Sequence, residues 1–240
     1  MIQTYRSDDW NDYRMKYNEP HLVLEPLEKE IAVVDGALDM LQDVGVLPHT
    51  NYDHAKMLAH RKAVAELFEI PWTAITPRMQ RLLYAVNAIV QPQNMIAAGV
   101  FCGNTFISNA GAAVGPGACY TAKQLIGLEI RAAEAERGER NVRKIDSTGV
   151  AHIIAGDAVD FIEKFSEPIQ LLYIDADGAY LRIVEVAYDK MPQGSVVMAH
   201  NSVNMAGQLK SYLDFVRDSA NFHSSVNVIF DIEGLEVSVK

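Results

Sequence analysis

In this 240-residue chain, acidic and amide side chains recur directly after short apolar runs. Glu129 closes QLIGLEI, Asp157 follows VAHIIAG, Asp175 and Asp177 follow IQLLYI, and His200-Asn201 follow SVVMA. A further run, MIAAG, ends in Gly99 and meets a second glycine at Gly103, in the stretch MIAAGVFCGNT. Each type has a chemical use. A carboxylate at a strand end can accept paired hydrogen bonds from ribose hydroxyls. Gly156-Asp157 would let an adenine edge approach and would accept from its amino group. The Gly99–Gly103 turn lets the backbone come close to a ligand, such as an amino-acid moiety, with no Cβ in the way. A lone acid after a strand is ordinarily a helix cap. Four consecutive strand ends carrying acids or imidazole point instead to one pocket with convergent polar groups.

These positions share an edge only if the apolar runs are parallel strands, and the pattern between them provides for that. From Met95 onward, strands at 95–100, 124–130, 150–155, 169–174 and 195–199 alternate with helices at 106–114, 131–145, 158–165, 180–190 and 209–219. Two last strands, Val226–Phe230 and Leu235–Val239, flank a tight turn at Glu233-Gly234 and should pair antiparallel. Repeated β-α units give a doubly wound, Rossmann-like, seven-stranded and mostly parallel sheet, closed by an antiparallel hairpin. Before it, the spacing predicts helices over 25–44, 54–69 and 78–90, a helical extension read as a lid over the strand ends. Residues 1–75 then form an arm and lid, and 76–240 the main domain. His54, His60, Arg61 and Lys62 read as a solvated basic face of the second helix. Tyr5, Trp10, Tyr13 and Tyr17 lie in a non-periodic arm, able to line a pocket or bury against a second subunit.

The composition limits the partners. A net charge of −10 argues against nucleic acid or an anionic membrane surface. No apolar run approaches the ~18 residues of a membrane span. Two cysteines, Cys102 and Cys119, make no disulfide framework, and no zinc-type cluster is present. Cys102 reads as a packing residue. Together with the polar start of the chain, these features set the expectation of a cytoplasmic protein acting on a small molecule, as a homodimer.

From about Thr76 to Lys240 the chain resembles class I S-adenosylmethionine-dependent methyltransferases, and within them the catechol and caffeoyl-CoA type of O-methyltransferase. The motifs are TPRMQRLL leading into MIAAGVFCGNT, then LIGLEI, IIAGDAVDFI, LLYIDADGAY, MPQGSVVMAHNSV and VIFDIEGLEVSVK. The resemblance implies S-adenosylmethionine (SAM) held by Gly99, Phe101, Gly103, Thr105, Glu129, Asp157, Ala158 and Asp175. It implies methyl transfer to a hydroxyl of a small aromatic or conjugated acceptor. A SAM-binding relative that transfers no methyl group is the alternative.

Four departures accompany it. Ala97 stands where the family has an acid, Gly178 stands where it has a catalytic lysine, and a short insertion is centred on residues 115–120. The family's metal-binding Asp and Asp-Asn correspond to Asp175 and His200-Asn201. Such a set suits iron, zinc, manganese or cobalt better than magnesium. Alternatively, His200 is the general base, oriented by Asp175, or simply a polar residue at a strand end.

Overall fold

The computed structural model describes residues 3–23 and 25–240. Met1 and Ile2 of the expected arm lie outside the described residues. The elements run β1 (Gln3–Arg6), α1 (Leu27–Asp43), α2 (His54–Leu67), α3 (Pro77–Val90), β2 (Asn94–Ala98), α4 (Asn104–Ala110), β3 (Gln124–Glu129) and α5 (Ala132–Arg143). They continue with β4 (Ala151–Ala155), α6 (Ala158–Lys164), β5 (Leu171–Ile174), α7 (Tyr180–Tyr188), β6 (Val196–His200), α8 (Lys210–Arg217), β7 (Ser224–Ile229) and β8 (Leu235–Val239).

One sheet carries these eight strands, in the order β1-β7-β8-β6-β5-β2-β3-β4. Strand β8 pairs antiparallel with β6 and β7, and the other pairings are parallel. The alternation of β2 shows why the sheet needs cover on both faces. Met95 and Ala97 join one core with α1, α3, α4 and α5, and Ile96 and Ala98 join the other with α6, α7 and α8. β2 lies centrally: it pairs with β3 on one side and with β5, a later strand, on the other. The connections thus reverse direction between β2 and β5, and the carboxyl ends of these two strands part there.

Two expectations need correction. The sheet has eight strands among the described residues, not seven, because the start of the expected arm forms a strand. Gln3–Arg6 pairs in parallel with β7, from Val226 to Ile229. The segment is too short and too polar to be read as a strand; what holds it is tertiary. Arg78, wholly buried at the start of α3, donates to both oxygens of Asp9 (2.8 and 2.9 Å) and of Glu25 (2.7 and 2.5 Å). Its guanidinium also lies over the Tyr13 ring, 3.8 Å from the centroid.

The expected basic face of α2 is solvated only in part: Lys62 is exposed and His54 half-buried, but His60 and Arg61 turn inward. His60 is buried in a slot where Gly111 and Gly117 leave room for the imidazole, since a Cβ on Gly111 would come within 2.2 Å of the ring. Arg61 pairs with both oxygens of the buried Glu30 (2.8 and 2.7 Å), which also receives Arg81 Nε at 2.5 Å. The insertion at 115–120 explains the slot. Gly115–Gly117 form a 3-10 turn seated against α2, with the Tyr84 hydroxyl donating to the Gly117 carbonyl at 2.6 Å.

These contacts can be tested through stability. Arg78→Met should lower unfolding free energy by about 3–5 kcal/mol, because two carboxylates lose a buried partner; urea denaturation measures this, and early proteolysis within residues 3–25 should accompany it. Burial lowers the His60 pKa to about 4 against an ordinary 6.5, outweighing the opposing contact with the Ile107 backbone. The unfolded chain therefore binds the extra proton first. This contribution is intact above pH 6.5 and is lost as pH falls from 6.5 through 4, by about 3 kcal/mol in all. In His60→Asn, the slope of stability against pH over that window should flatten.

Candidate active site

A cavity of about 570 Å³ opens where β2 and β5 part. Its walls come from the turn 99–102, the ends of β3, β4, β5 and β6, and the segment Trp72–Ile75 between α2 and α3. Of the N-terminal extension, this short segment is what borders the cavity; α1 and α3 pack in the sheet's core.

Gly99 is the hinge of the site. Its N–H donates to the Leu128 carbonyl of β3 (2.8 Å), while the preceding Ala98 carbonyl receives the Asp175 N–H beside β5 (2.8 Å). The backbone has φ +77°, and a Cβ would fall 2.1 Å from the Asp175 carbonyl oxygen. Glycine is required on both counts. Phe101 comes next with φ +48°, an uncommon conformation for an aromatic residue. It is held by its N–H, which donates to Glu129 Oε2 at 2.8 Å. The other oxygen of Glu129 receives the Arg131 N–H (3.0 Å) and Nε (3.2 Å). Gly103, at φ +90°, begins α4 and packs against Ile153 rather than on the cavity wall.

The other expected residues divide between the wall and local structure. Thr105, Asp157, Ala158, Asp175, His200 and Asn201 line the cavity with Gly99, Phe101 and Glu129. Asp157 also caps α6, accepting the Val159 and Asp160 N–H groups at one oxygen (2.8 and 3.1 Å). Ala97, in the place of the family's acid, is fully buried and does not reach the wall. Cys102 is fully buried, and burial pushes its thiol up to about 11, as suits a packing residue.

Further residues complete the wall. Asn104 Nδ2 donates to Thr73 Oγ1 (2.9 Å), placing two buried polar groups at the glycine turn. Trp72 lies against Phe101, with ring centroids 5.0 Å apart, and Ile130 is 72% exposed beside Glu129. Thr73 and Trp72 sit between two prolines in a stretch with no periodicity, so no local pattern marks them.

At the far wall, His200 is 2% exposed. Its Nδ1 lies 3.3 Å from Asp175 Oδ2, and its Nε2 lies 3.2 Å from Oε2 of Glu233, on the β7–β8 turn. Burial opposes a charge on the ring, but the two carboxylates outweigh it and raise the pKa to about 10. Neither contact is a well-aligned hydrogen bond: His200 Nδ1 and Glu233 Oε2 are both buried without an aligned partner. Asn201, at φ +66°, turns its Nδ2 onto Asp175 Oδ1 (3.0 Å), which the Tyr180 hydroxyl also approaches at 3.4 Å. Among the described residues, no group of three or more His, Cys, Asp or Glu is disposed to hold a metal. The set here is one carboxylate, one imidazole and one amide. Both ring nitrogens face carboxylates, and Asn201 turns its amide nitrogen rather than its oxygen onto Asp175, so the expected set of Asp175, His200 and Asn201 does not present a metal site.

Comparison with known proteins bears on the fold. Residues 96–202 match a family model described as a methyltransferase domain. Among solved structures, an O-methyltransferase from Bacillus cereus in complex with SAH has a TM-score of 0.59 at 16% identity, over 88% of this chain and 100% of that one. The SAH-bound methyltransferase PaMTH1 of Podospora anserina gives 0.61 at 11%, over 91% and 99%. The O-methyltransferase TomG of Streptomyces achromogenes, in complex with SAM and involved in tomaymycin synthesis, gives 0.60 at 15%, over 79% and 91%. No curated protein sequence matches the chain. No described helix is long and apolar enough to cross a membrane. The chain thus shares the fold of these methyltransferases, its residues 96–202 match the methyltransferase-domain model, and it is similar to SAM- and SAH-bound O-methyltransferases.

Gly99→Ala tests the hinge. The added Cβ cannot coexist with the Asp175 carbonyl, so β2 and β5 must separate or the turn must move. The variant should melt at a lower temperature by calorimetry and should lose affinity for SAM by roughly tenfold or more, the equivalent of about 1.4 kcal/mol.

Proposed function

We propose that this chain is a SAM-dependent O-methyltransferase acting on a hydroxyl of a small aromatic or conjugated molecule. The observation that carries the reading is the cavity at the parting of β2 and β5, bordered by the Gly99–Cys102 turn and by Glu129, Asp157 and Asp175. The glycine turn, with Asn104 and Thr73, would receive the amino-acid end of SAM, replacing the polar contact that Ala97 lacks. Glu129 would take the ribose, with Ile130 offering an apolar face to the adenine beside Asp157. The acceptor would then lie toward Trp72, Asp175, Asp177 and Asn201, on the cavity's remaining wall.

Transfer is an in-line displacement. The S–CH₃ bond of the sulfonium breaks as the O–CH₃ bond forms, and holding the two reactants in contact supplies much of the acceleration. The acceptor oxygen becomes strongly acidic as it is alkylated, so a carboxylate suffices to take its proton. Asp175 and Asp177 are carboxylates on that wall. We assign them this role over His200, whose two ring nitrogens both face carboxylates and whose raised pKa keeps it from serving as a neutral base.

Calorimetry with SAM and SAH should give micromolar binding. Incubation with SAM and a panel of catechols and phenols should yield a product heavier by one methylene unit in mass spectrometry. Binding of SAM with no product across such a panel would favour a SAM-binding protein that transfers no methyl group. Failure to bind SAM or SAH would overturn both readings.

A further inference from the structure

Asn141 lies on α5, away from the cavity wall, and is 1% exposed. Its Nδ2 donates to the Cys102 carbonyl of the glycine turn (3.0 Å) and to the Glu69 carbonyl (3.0 Å). Its Oδ1 accepts the Glu69 N–H (2.9 Å) and Lys144 Nζ (3.3 Å). The donors and lone pairs of the amide are then all used, which fixes its orientation. One turn earlier on the same face, Gly138 brings the helix against the glycine turn. A Cβ on Gly138 would lie 2.8 Å from Ile153 Cδ1 and 3.3 Å from the Cys102 carbonyl carbon.

The segments that Asn141 joins lead to the two walls assigned to the amino-acid end of SAM. One is the turn 99–102, and the other runs from Glu69 into Trp72–Ile75. Neither belongs to a helix or a strand. Gly99, Phe101 and Gly103 all have positive φ, so the turn follows no regular ladder. The buried Cys102 carbonyl therefore needs a donor from elsewhere, and Asn141 supplies it. At the cavity itself the two walls meet through Asn104 Nδ2 and Thr73 Oγ1 (2.9 Å). The Asn141 amide is a second tie, behind the walls. With both ties made, the turn and the segment are held apart at a set distance, and a ligand group between them does not have to order them on binding.

We propose that Asn141 is a positioning residue. By joining Cys102 to Glu69 it holds the two walls at the separation that receives the amino-acid end of SAM. The nucleoside end depends on Glu129, Ile130 and Asp157 and not on this amide. The inference rests on the methyltransferase reading of the cavity, but its test needs no turnover.

The full chain and its variants are titrated by calorimetry with SAH and with methylthioadenosine, which keeps the nucleoside and the thioether but lacks the amino-acid end. Asn141→Asp keeps the size of the side chain and removes both donors. It should weaken SAH by about tenfold or more and leave methylthioadenosine within about twofold. Asn141→Ser leaves space for water to meet part of the demand, so it holds the test open if Asn141→Asp fails to fold, and it should show the same selective loss. A merely structural role would move both ligands together, so the ratio of the two affinities is the readout. An equal loss for both ligands, no loss in a folded variant, or a wild-type chain that binds the two ligands alike would overturn the proposal. A wild-type chain that binds neither SAM nor SAH would overturn the methyltransferase reading as well. Tight SAH binding whose ratio to methylthioadenosine stays unchanged in the variants would overturn this inference alone.

Discussion

The close approach of Gly99 to the carbonyl of Asp175 is the constraint on which the site depends. Two parallel strands part there, and the hydrogen bonds at their ends divide between neighbours: Gly99 to β3, Asp175 to β2. Only a residue without a Cβ lets the two backbones lie so close. With that approach made, the turn 99–102 and the side chain of Asp175 face one cavity from adjacent strands. Phe101 is then forced into a left-handed conformation, which its hydrogen bond to Glu129 supports. Glu129 therefore serves twice, as a wall of the cavity and as a brace for the turn, and a ribose would compete with or complement the brace rather than meet a free carboxylate.

The helical extension is joined to the rest of the fold by buried ion pairs as well as by apolar burial. Arg78 and Arg81 lie one turn apart on α3, both fully buried. Arg78 gathers Asp9 and Glu25, and Arg81 shares Glu30 with Arg61. Each buried guanidinium would be costly unpaired, and each is matched by carboxylates from distant segments. These pairs tie β1, α1 and α2 to the element that leads into β2. They act together with hydrogen bonds at both ends of the Trp72–Ile75 segment: Thr73 N–H donates to the Tyr17 carbonyl, and Thr76 Oγ1 to Asp231.

The strands from β2 onward and their polar ends are legible in the sequence because each rests on a local rule: apolar runs of strand length, glycine at the turn, an acid at the next position. Asp175, His200 and Asn201 meet at one wall of the cavity. The features that escape sequence reading depend on contacts distant along the chain. β1 has four mostly exposed residues and exists as a strand because β7 offers an edge and Arg78 anchors the segment from Asp9 to Glu25. His60 resembles part of a basic surface because nothing in its own helix announces the glycine slot made by residues 111 and 117. Trp72, Thr73 and Asn104 reach the cavity from positions with no periodic signal, and Glu233 reads locally as no more than half of a hairpin turn.

The case of Glu233 bears on how the altered strand end holds together. With His200 in the place of an acid, the second ring nitrogen is a polar atom that no aspartate would bring, and at 2% exposure it cannot rely on water. Glu233 meets that demand from the antiparallel β7–β8 connection, a turn fixed by Asp231 and Val203. The closing hairpin is thus more than the edge of the fold: its turn carries the carboxylate that the imidazole requires. His200 and Glu233 form one structural unit, and replacing either alone leaves the other buried without its partner.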